Sequence, residues 1–454
     1  MKIVKIDDSI FREYDIRAIY GKELNCDVAY TFGRAFASYI DDSEIIVGYD
    51  NRSSSVSLFK ALTKGLMDSG CTVINLGLVT TPMYYFAKKL KTVKCGIMIT
   101  ASHNPKEYNG FKISFDYYGN AYGNYIKDFK KFLDKEEYKT GKGKMYDLDI
   151  KEEYLNNIRE SISLGNRKVK VVVDCGNGTA STVIKDVMNM FDVEVDYLYC
   201  TSDPNFPNHQ PDPAEKKNQI DLAKRVAELG YDFGFSVDGD ADRVGIVDEK
   251  GNIYLADMYL TLMYRQMAST IKPKKAIYDV KCSKTLIDEL DRLNYQHLMY
   301  RTGNSYMNIK INKDGYAFGG EFSGHVWFRD RYQGFDDGIY AGLRVLEILS
   351  QTDKKLSDMF DNLNHYYSTE EIKVHVSDAE KFNIVKKVKD YCDSKNYKYN
   401  DIDGVRVQFD DSWALVRASN TGPNLTIRFE AKTNNRLNNI QKEFTDLINK
   451  LKDK

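Results

Sequence analysis

Three stretches of the chain repeat one pattern of apolar and polar positions. Glu44–Asp50 (EIIVGYD), Lys168–Asp174 (KVKVVVD) and Lys275–Asp279 (KAIYD) are short apolar runs, and each closes on an aspartate. Behind each comes a brief polar loop, a stretch of helical periodicity and a second apolar run. The helices are predicted near Ser57–Ser69, Ala180–Met190 and Lys284–Leu293, and the second strands at Thr72–Leu76, Val193–Leu198 and near His297–Tyr300. Unbroken Val/Ile runs alternating with helices predict buried, mostly parallel strands in α/β layers, with functional loops beyond the strands' C-terminal ends. After Tyr367 the pattern changes to charged, alternating strands at Glu371–Val376, Gly404–Phe409, Trp413–Ala418 and Leu425–Ala431, with helices over Asp378–Asp390 and Asn438–Lys450. The expectation is three related α/β domains with mixed, mostly parallel sheets, followed by a smaller C-terminal α+β domain. The lysine-rich stretch Lys127–Lys144 reads as a solvated helix and an interdomain link.

At 454 residues the chain exceeds one ordinary core. Hydrophobic residues at 42% and charged residues at 29% suit a globular soluble protein, and a net charge of −1 supplies no global field for nucleic acid or an acidic membrane. The seven cysteines (26, 71, 95, 175, 200, 282, 392) are scattered without a C-x-x-C pair, which argues against a disulfide framework or zinc site and for a reducing compartment. The N-terminus turns acidic before an apolar segment can form, and no stretch reaches transmembrane length, so a cytoplasmic location is expected.

Two segments change this picture. Residues 100–105 read Thr-Ala-Ser-His-Asn-Pro, and residues 238–243 read Asp-Gly-Asp-Ala-Asp-Arg. Ser102 and His103 follow the apolar run Cys95–Ile99 and precede strong turn signals, which exposes a hydroxyl on a tight loop. Alone, a serine there is equally a turn residue bonded to its own backbone. Lys112, ten residues on, could face a phosphate, or move a proton if cationic neighbours lowered its pKa. Asp238, Asp240 and Asp242 set three carboxylates between two apolar strands, with Arg243 directly behind. An EF-hand loop fails because its sixth position is Arg243 rather than glycine, and a bare acidic turn would repel itself. Carboxylates for a hard cation, a guanidinium and a hydroxyl together point to phosphoryl transfer through a serine.

Further segments add candidates. In Gly319-Gly-Glu-Phe-Ser-Gly-His325, Glu321 and Ser323 alternate and could face one side to grip sugar hydroxyls, while His325 titrates in the useful range. The loop is no P-loop, since Gly-Lys-Ser/Thr is missing from the chain, and this argues against ATP-driven chemistry. Arg417, Ser419, Asn420 and Thr421 gather a guanidinium, two hydroxyls and turn amides, either a phosphate cradle or a plain hairpin turn. In Phe-Arg-Glu-Tyr-Asp-Ile-Arg, Arg17 beside Asp15 is either a paired network or a phosphate contact.

In this order and spacing, these segments resemble the α-D-phosphohexomutase superfamily over essentially the whole chain. Gly-Glu-Phe-Ser-Gly-His and the run Arg329–Ser350 look most like its phosphomannomutase/phosphoglucomutase branch. The resemblance implies four domains around one central cleft, divided at 1–149, 150–253, 254–366 and 367–454. It implies an isomerase that interconverts hexose 6-phosphate and hexose 1-phosphate through a phosphoserine and a hexose 1,6-bisphosphate. By similarity, Ser102 carries the phosphate, and Asp238, Asp240 and Asp242 hold one Mg²⁺ with a phosphoserine oxygen. Arg243 assists, and Lys112 and His325 are candidate proton-transfer groups. Glu321, Ser323 and Asn304 match sugar-binding positions, and Arg417, Ser419, Asn420 and Thr421 the distal phosphate site. Tyr14, Arg17, His103 and Lys281 match further cleft positions. The implied partners are a phosphosugar substrate and a hexose 1,6-bisphosphate primer, with no nucleic acid or membrane, in a monomer or homodimer. Asn304 departs from the histidine usual after Thr-Gly in this branch, and Ala18 from a usual glycine. An asparagine bonds a hydroxyl but carries no charge, which leaves phosphoglucosamine mutase and sugar 1,6-bisphosphate synthase as rival activities. A silent phosphosugar sensor is the rival outside enzymes.

Overall fold

The computed structural model describes residues 1–117, 119–377, 379–419 and 422–452. The first sheet contains β1 (Ile16–Ile19), β2 (Glu44–Tyr49), β3 (Thr72–Leu78), β4 (Gly96–Ile99), β5 (Tyr108–Ser114) and β6 (Met145–Asp147). The second contains β7 (Lys170–Asp174), β8 (Glu194–Leu198), β9 (Phe233–Val237), β10 (Val244–Asp248) and β11 (Ile253–Tyr254). The third is β12 (Lys275–Asp279), β13 (Gln296–Tyr300), β14 (Phe318–Gly320) and β15 (Val326–Phe328). β16 (Tyr367–Ser368), β17 (Ile372–His375), β18 (Tyr399–Asn400), β19 (Val405–Gln408), β20 (Ser412–Ala418) and β21 (Asn424–Ala431) form the fourth.

The strand orders expose the repeat. Within the first three sheets run β5-β4-β2-β3, β10-β9-β7-β8 and β15-β14-β12-β13. In each, three strands are parallel and the fourth returns antiparallel through a hairpin. The three predicted strand–helix–strand units are therefore present, with helices over Ser55–Asp68, Ile184–Met188 and Lys284–Arg292. The second helix is shorter than predicted, because residues 179–182 form a 3-10 turn first. The aspartates closing the repeated strands share one duty. Asp50 accepts from the Arg52 backbone and Ser55 hydroxyl, Asp174 from Gly176 N, and Asp279 from Thr302 and Phe322 N. Each buried carboxylate thus satisfies donors in the loops at its sheet's C-terminal edge.

One hydrophobic cluster runs unbroken from Ile46 and Tyr84 through Val171 and Phe235 to Tyr278, Tyr340 and Met359, so the first three sheets share a core. The fourth, antiparallel sheet has its own core of Val388, Val416, Ile427, Phe429 and Phe444. Its helices span Lys381–Ser394 and Asn434–Lys452, close to the sequence expectation, whose first residue, Asp378, lies outside the described residues. This sheet meets the third through polar and cation–π contacts. Arg406 donates to Val280 O and Cys282 O, and Arg428 stacks 3.9 Å over Phe322. The stretch after the helix Asn124–Leu133 is less of a free link than predicted: Gly141 N and Gly143 N donate to Asp68 O and Met67 O before β6 joins the first sheet. Among the described residues no helix is long and apolar enough to cross a membrane.

Candidate active site

The hairpin loops of all four sheets face one cavity of about 600 Å³ or its margin. Ser102 lies between β4 and β5 and Lys112 on β5, the three aspartates lie between β9 and β10, and Glu321–His325 lie between β14 and β15. Arg417 ends β20. A larger cavity of about 1240 Å³ lies behind the third sheet. Its buried Arg344 and its Arg331 are paired with Asp330 and Glu347, away from these loops.

At the centre, Ser102 Oγ donates to Asp238 Oδ2 at 2.6 Å across 136 residues of sequence. The close approach needs Gly239, because a Cβ there would lie 2.5 Å from Ser102 O. Asp238 Oδ1 accepts from Asp242 N and Arg243 N, which coils the acidic loop around its first carboxylate. Asp240 Oδ2 accepts from Lys112 Nζ at 2.8 Å, Thr81 Oγ1 at 2.7 Å and Thr100 Oγ1 at 3.0 Å, and Lys112 also reaches Asp242 Oδ2 at 2.5 Å. All three carboxylates are fully buried.

The electrostatics follow from that crowding. Burial and the neighbouring Asp242 and Asp240 push the Asp238 carboxyl well above the usual range. Burial opposes ionisation of Asp240 too, but the Lys112 ammonium and its hydrogen bond outweigh it and hold Asp240 low. Burial alone would lower Lys112, yet Asp240, Asp242 and Asp238 raise it well above an ordinary lysine. The cationic neighbours a lysine base would need are thus replaced by carboxylates, and Lys112 stands as an ammonium. Burial and the cations Arg243 and Arg17 drive His103 well below an ordinary histidine, 3.3 Å from Ser102 Oγ.

The carboxylates fit a divalent cation. Asp238, Asp240 and Asp242 each offer an oxygen within 4.8 Å of the others, and Asp240 Oδ1 and Asp242 Oδ1 are buried without a hydrogen-bond partner. Buried carboxylate oxygens left without donors suit an all-oxygen ligand set of the kind hard cations take. Asp242, His325 and Asp336 form a second compact group. There Arg243 Nε donates to His325 Nε2 at 3.1 Å, which leaves the proton on Nδ1, 2.8 Å from Asp336 Oδ2. Asn304 Nδ2 also donates to Asp336 Oδ2, and its Oδ1 is buried without a partner.

The remaining candidates form a second group beside the fourth sheet. Glu321 is buried, with Oε1 accepting from Gly303 N at 2.6 Å and Oε2 from Ser323 Oγ at 3.1 Å, so the two share a side as expected. Both stand at the cavity's margin rather than among its lining residues. Lys281 pairs with Glu371 at 2.8 Å, and Arg417 with Asp403 at 3.0 Å. Asp403 also accepts from Thr302 N, and Lys381 Nζ holds Ser419 O, fixing the last loop. Asn420 and Thr421 lie outside the described residues. Tyr14, its hydroxyl pushed up to about 12 by burial first and then by Asp15 and Glu321, lies between the groups. Arg17 is the paired residue of one reading, with Asp15 at 2.6 Å and a bond to Asn104 Oδ1, and it also lines the cavity.

Several participants had no place in the sequence reading. Thr81 and Thr100 hold Asp240, Asp336 holds His325, and Gln210 and Asp212 line the cavity from the Pro-rich segment Pro204–Pro213. That run of prolines and turn residues was the available signal for a constrained loop. Nothing local distinguishes the threonines from ordinary strand-end residues.

A serine hydroxyl on a buried acidic cage, with loops of four sheets around one cavity and Arg12, Arg17 and Arg243 in its lining, marks the α-D-phosphohexomutase class. The chain belongs to the phosphoglucomutase/phosphomannomutase family of hexose-phosphate mutases. Its α/β/α domain I matches residues 8–137, domain II 152–251, domain III 256–367 and the C-terminal domain 371–447. A phosphomannomutase/phosphoglucomutase of Pseudomonas putida is 40% identical over 97% of this chain and 95% of its own length. A phosphoglucomutase of Neisseria gonorrhoeae is 36% identical over 98% of both. The crystal structure of a phosphoglucomutase/phosphomannomutase family protein from Burkholderia thailandensis superposes with a TM-score of 0.91 at 35% identity, covering 99% of this chain and 98% of that one.

Proposed function

We propose that the chain interconverts hexose 6-phosphate and hexose 1-phosphate, of glucose, mannose or both, by lending a phosphate from Ser102 to the free end of the substrate. The reading is carried by one observation: the Ser102 hydroxyl sits 2.6 Å from a carboxylate of the buried acidic cage. In the first half-reaction a bond forms between the sugar hydroxyl oxygen and phosphorus, and the bond from phosphorus to Ser102 Oγ breaks. The resulting hexose 1,6-bisphosphate turns end for end and returns its other phosphate to Ser102. Asp238, Asp240 and Asp242 would hold one Mg²⁺ with a phosphate oxygen, and the bound ion supplies charge neutralisation for the transferring group.

The chain's own groups supply the rest. Lys112, held as an ammonium, and Arg243 stabilise the oxygens that gain charge. His325, whose Nε2 accepts from Arg243 Nε and whose tautomer Asp336 fixes, would take the hydroxyl proton once the substrate phosphate draws that guanidinium away. Glu321 and Ser323 at the margin and Asn304 in the lining bind sugar hydroxyls, Arg417, Ser419, Asn420 and Thr421 bind the distal phosphate, and Tyr14, Arg17, His103 and Lys281 complete the cleft. A separate core lets the fourth domain close and exclude water that would hydrolyse the phosphoserine. The reading divides the domains at 149, 253 and 366, of which 253 falls within β11 of the second sheet. A cytoplasmic monomer or homodimer, primed by the bisphosphate, completes the reading.

Asn304, which carries an unpartnered Oδ1 where histidine is usual in this branch, favours sugar 1,6-bisphosphate synthase as a second reading, beside phosphoglucosamine mutase. A coupled assay on glucose, mannose and glucosamine phosphates, with and without bisphosphate primer, separates them. We expect primer-dependent mutase turnover, phosphate on Ser102 by peptide mass, and none of either in Ser102→Ala. Full turnover in Ser102→Ala would remove the phosphoserine mechanism.

A further inference from the structure

Ser102 holds a left-handed backbone, φ +49°, a conformation that a non-glycine residue keeps only when its surroundings enforce it. The enforcing group is a fully buried cation two residues beyond the first repeated strand. Arg52 donates from Nη2 to Ser102 O at 2.7 Å and to Asn104 O at 2.6 Å, and from Nη1 to Pro105 O at 2.7 Å and Tyr108 O at 3.1 Å. Its Nε donates to Asp50 Oδ2 at 3.1 Å, which uses all five N–H groups of the guanidinium.

Strand pairing alone does not do this work, because three of the four carbonyls, those of Ser102, Asn104 and Pro105, belong to the loop before β5, and the fourth, Tyr108, opens that strand. A planar five-donor fork fits four carbonyls and one carboxylate in a way that an ammonium on a flexible stem does not. The guanidinium's position is fixed in turn, since Asp50 also accepts from Arg52 N and from Ser55 Oγ at 2.5 Å. Arg52 is buried and all five of its guanidinium N–H groups are committed to protein acceptors, which leaves no donor for sugar or phosphate.

We propose that Arg52 is a positioning residue for the phosphate carrier: it sets the place and strained backbone of Ser102 by clamping the loop's carbonyls, and so acts on turnover without touching substrate. The inference rests on Ser102 as the carrier.

The test is Arg52→Lys, which keeps the charge beside Asp50 and loses the fork. Displacement of a reacting group by about 1 Å costs on the order of 100-fold in rate. We therefore expect kcat to fall at least tenfold, KM for the hexose phosphate to stay within about twofold, and amide exchange to rise over residues 101–109. Arg34→Lys serves as the control. Arg34 also bonds loop backbone in the first domain, to Lys139 O, far from Ser102, and its variant should lose stability with kcat unchanged. If Arg52→Lys does not fold, Asp50→Asn, which frees the guanidinium from behind, is read in the same way. Unchanged kcat in a folded variant, or a raised KM with kcat intact, overturns the proposal. Turnover in Ser102→Ala would instead overturn the carrier itself.

Discussion

Replacement of Lys112 by methionine, which keeps the apolar stem and removes the charge, separates the cation cage from an ordinary buried salt bridge. The ammonium is 7% exposed and lies 2.8 Å from Asp240 Oδ2 and 2.5 Å from Asp242 Oδ2. With an effective dielectric of about 20, one pair at that distance is worth about 6 kcal/mol before desolvation is subtracted. Removing one partner of such a buried pair costs about 3–5 kcal/mol net, because the carboxylates remain without it. At about 2–4 °C per kcal/mol for a unit of this size, that corresponds to a fall of roughly 6–20 °C in the melting midpoint. The deficit should be largest in EDTA. Added Mg²⁺ should raise the midpoint of both proteins by mass action, and raise the variant's further, since lysine and metal ion neutralise the same carboxylates. Turnover should stay about 100-fold or more below wild type even with Mg²⁺. Differential scanning calorimetry across a Mg²⁺ titration, with a coupled rate assay, reads all three. An equal Mg²⁺ response in the two proteins, or no deficit in EDTA, would refute the assignment of these carboxylates to a cation.

Two other perturbations test separate parts of the molecule. Arg417→Ala should raise KM for phosphosugars on the order of tenfold to 100-fold, the worth of charge-assisted bonds to a phosphate of about 1.5–3 kcal/mol, and an unchanged KM in initial-rate kinetics would move the distal site elsewhere. Asp337, which accepts from the Tyr154 and Tyr332 hydroxyls, is pushed by burial from 3.8 up to about 6. Its folded form therefore binds a proton more tightly than its unfolded form, so its contribution favours folding at pH 4 and is lost as pH rises toward 6, by about 3 kcal/mol. Urea midpoints from pH 4 to 7 should fall more steeply for wild type than for Asp337→Asn, and parallel profiles would contradict this.

Much of the architecture was legible because burial on both faces writes itself into a strand as an unbroken apolar run. Val171, Val172 and Val173 are all inaccessible, as are Ile45, Ile46 and Val47. The acidic loop was legible for a related reason: three carboxylates on alternate residues have few uses without a cation. What stayed hidden was contact across domains. Lys112 and Asp240 are 128 residues apart, and only the fold reveals that lysine's neighbours are anions. Glu321 looked like a free sugar ligand, whereas one of its oxygens is committed to Gly303 N. Arg52 sits in Asn-Arg-Ser-Ser-Ser, a stretch that reads as an ordinary polar loop, because the carbonyls it serves lie about fifty residues further on.

The repeat explains why such different chemistry converges on one cavity. The serine loop, the acidic loop and the Glu321–His325 loop are the same hairpin, joining the outer parallel strand to its antiparallel return in three copies of one sheet. The repeated strand order supplies three equivalent rims, and a shared core from Ile46 to Met359 holds them in a fixed relation. A group that must receive phosphate from either end of a turning substrate needs that rigidity at the transfer site. It also needs compliance at the distal site, so that the cavity can open and the intermediate can turn. The division of cores meets both demands: carrier, cation cage and His325 lie on the continuous body, and Arg417 and Ser419 on the sheet whose core is its own. Beside one small apolar patch of Val280, Trp413 and Leu415, the contacts between the bodies are guanidinium stacks, ion pairs and hydrogen bonds, such as Arg428 over Phe322, Lys281 to Glu371 and Arg406 to Val280 O. Polar contacts of this kind can slide and re-form at less cost than an interdigitated apolar interface. Phe322 lies between Glu321 and Ser323, so movement of the fourth sheet reaches the sugar loop directly.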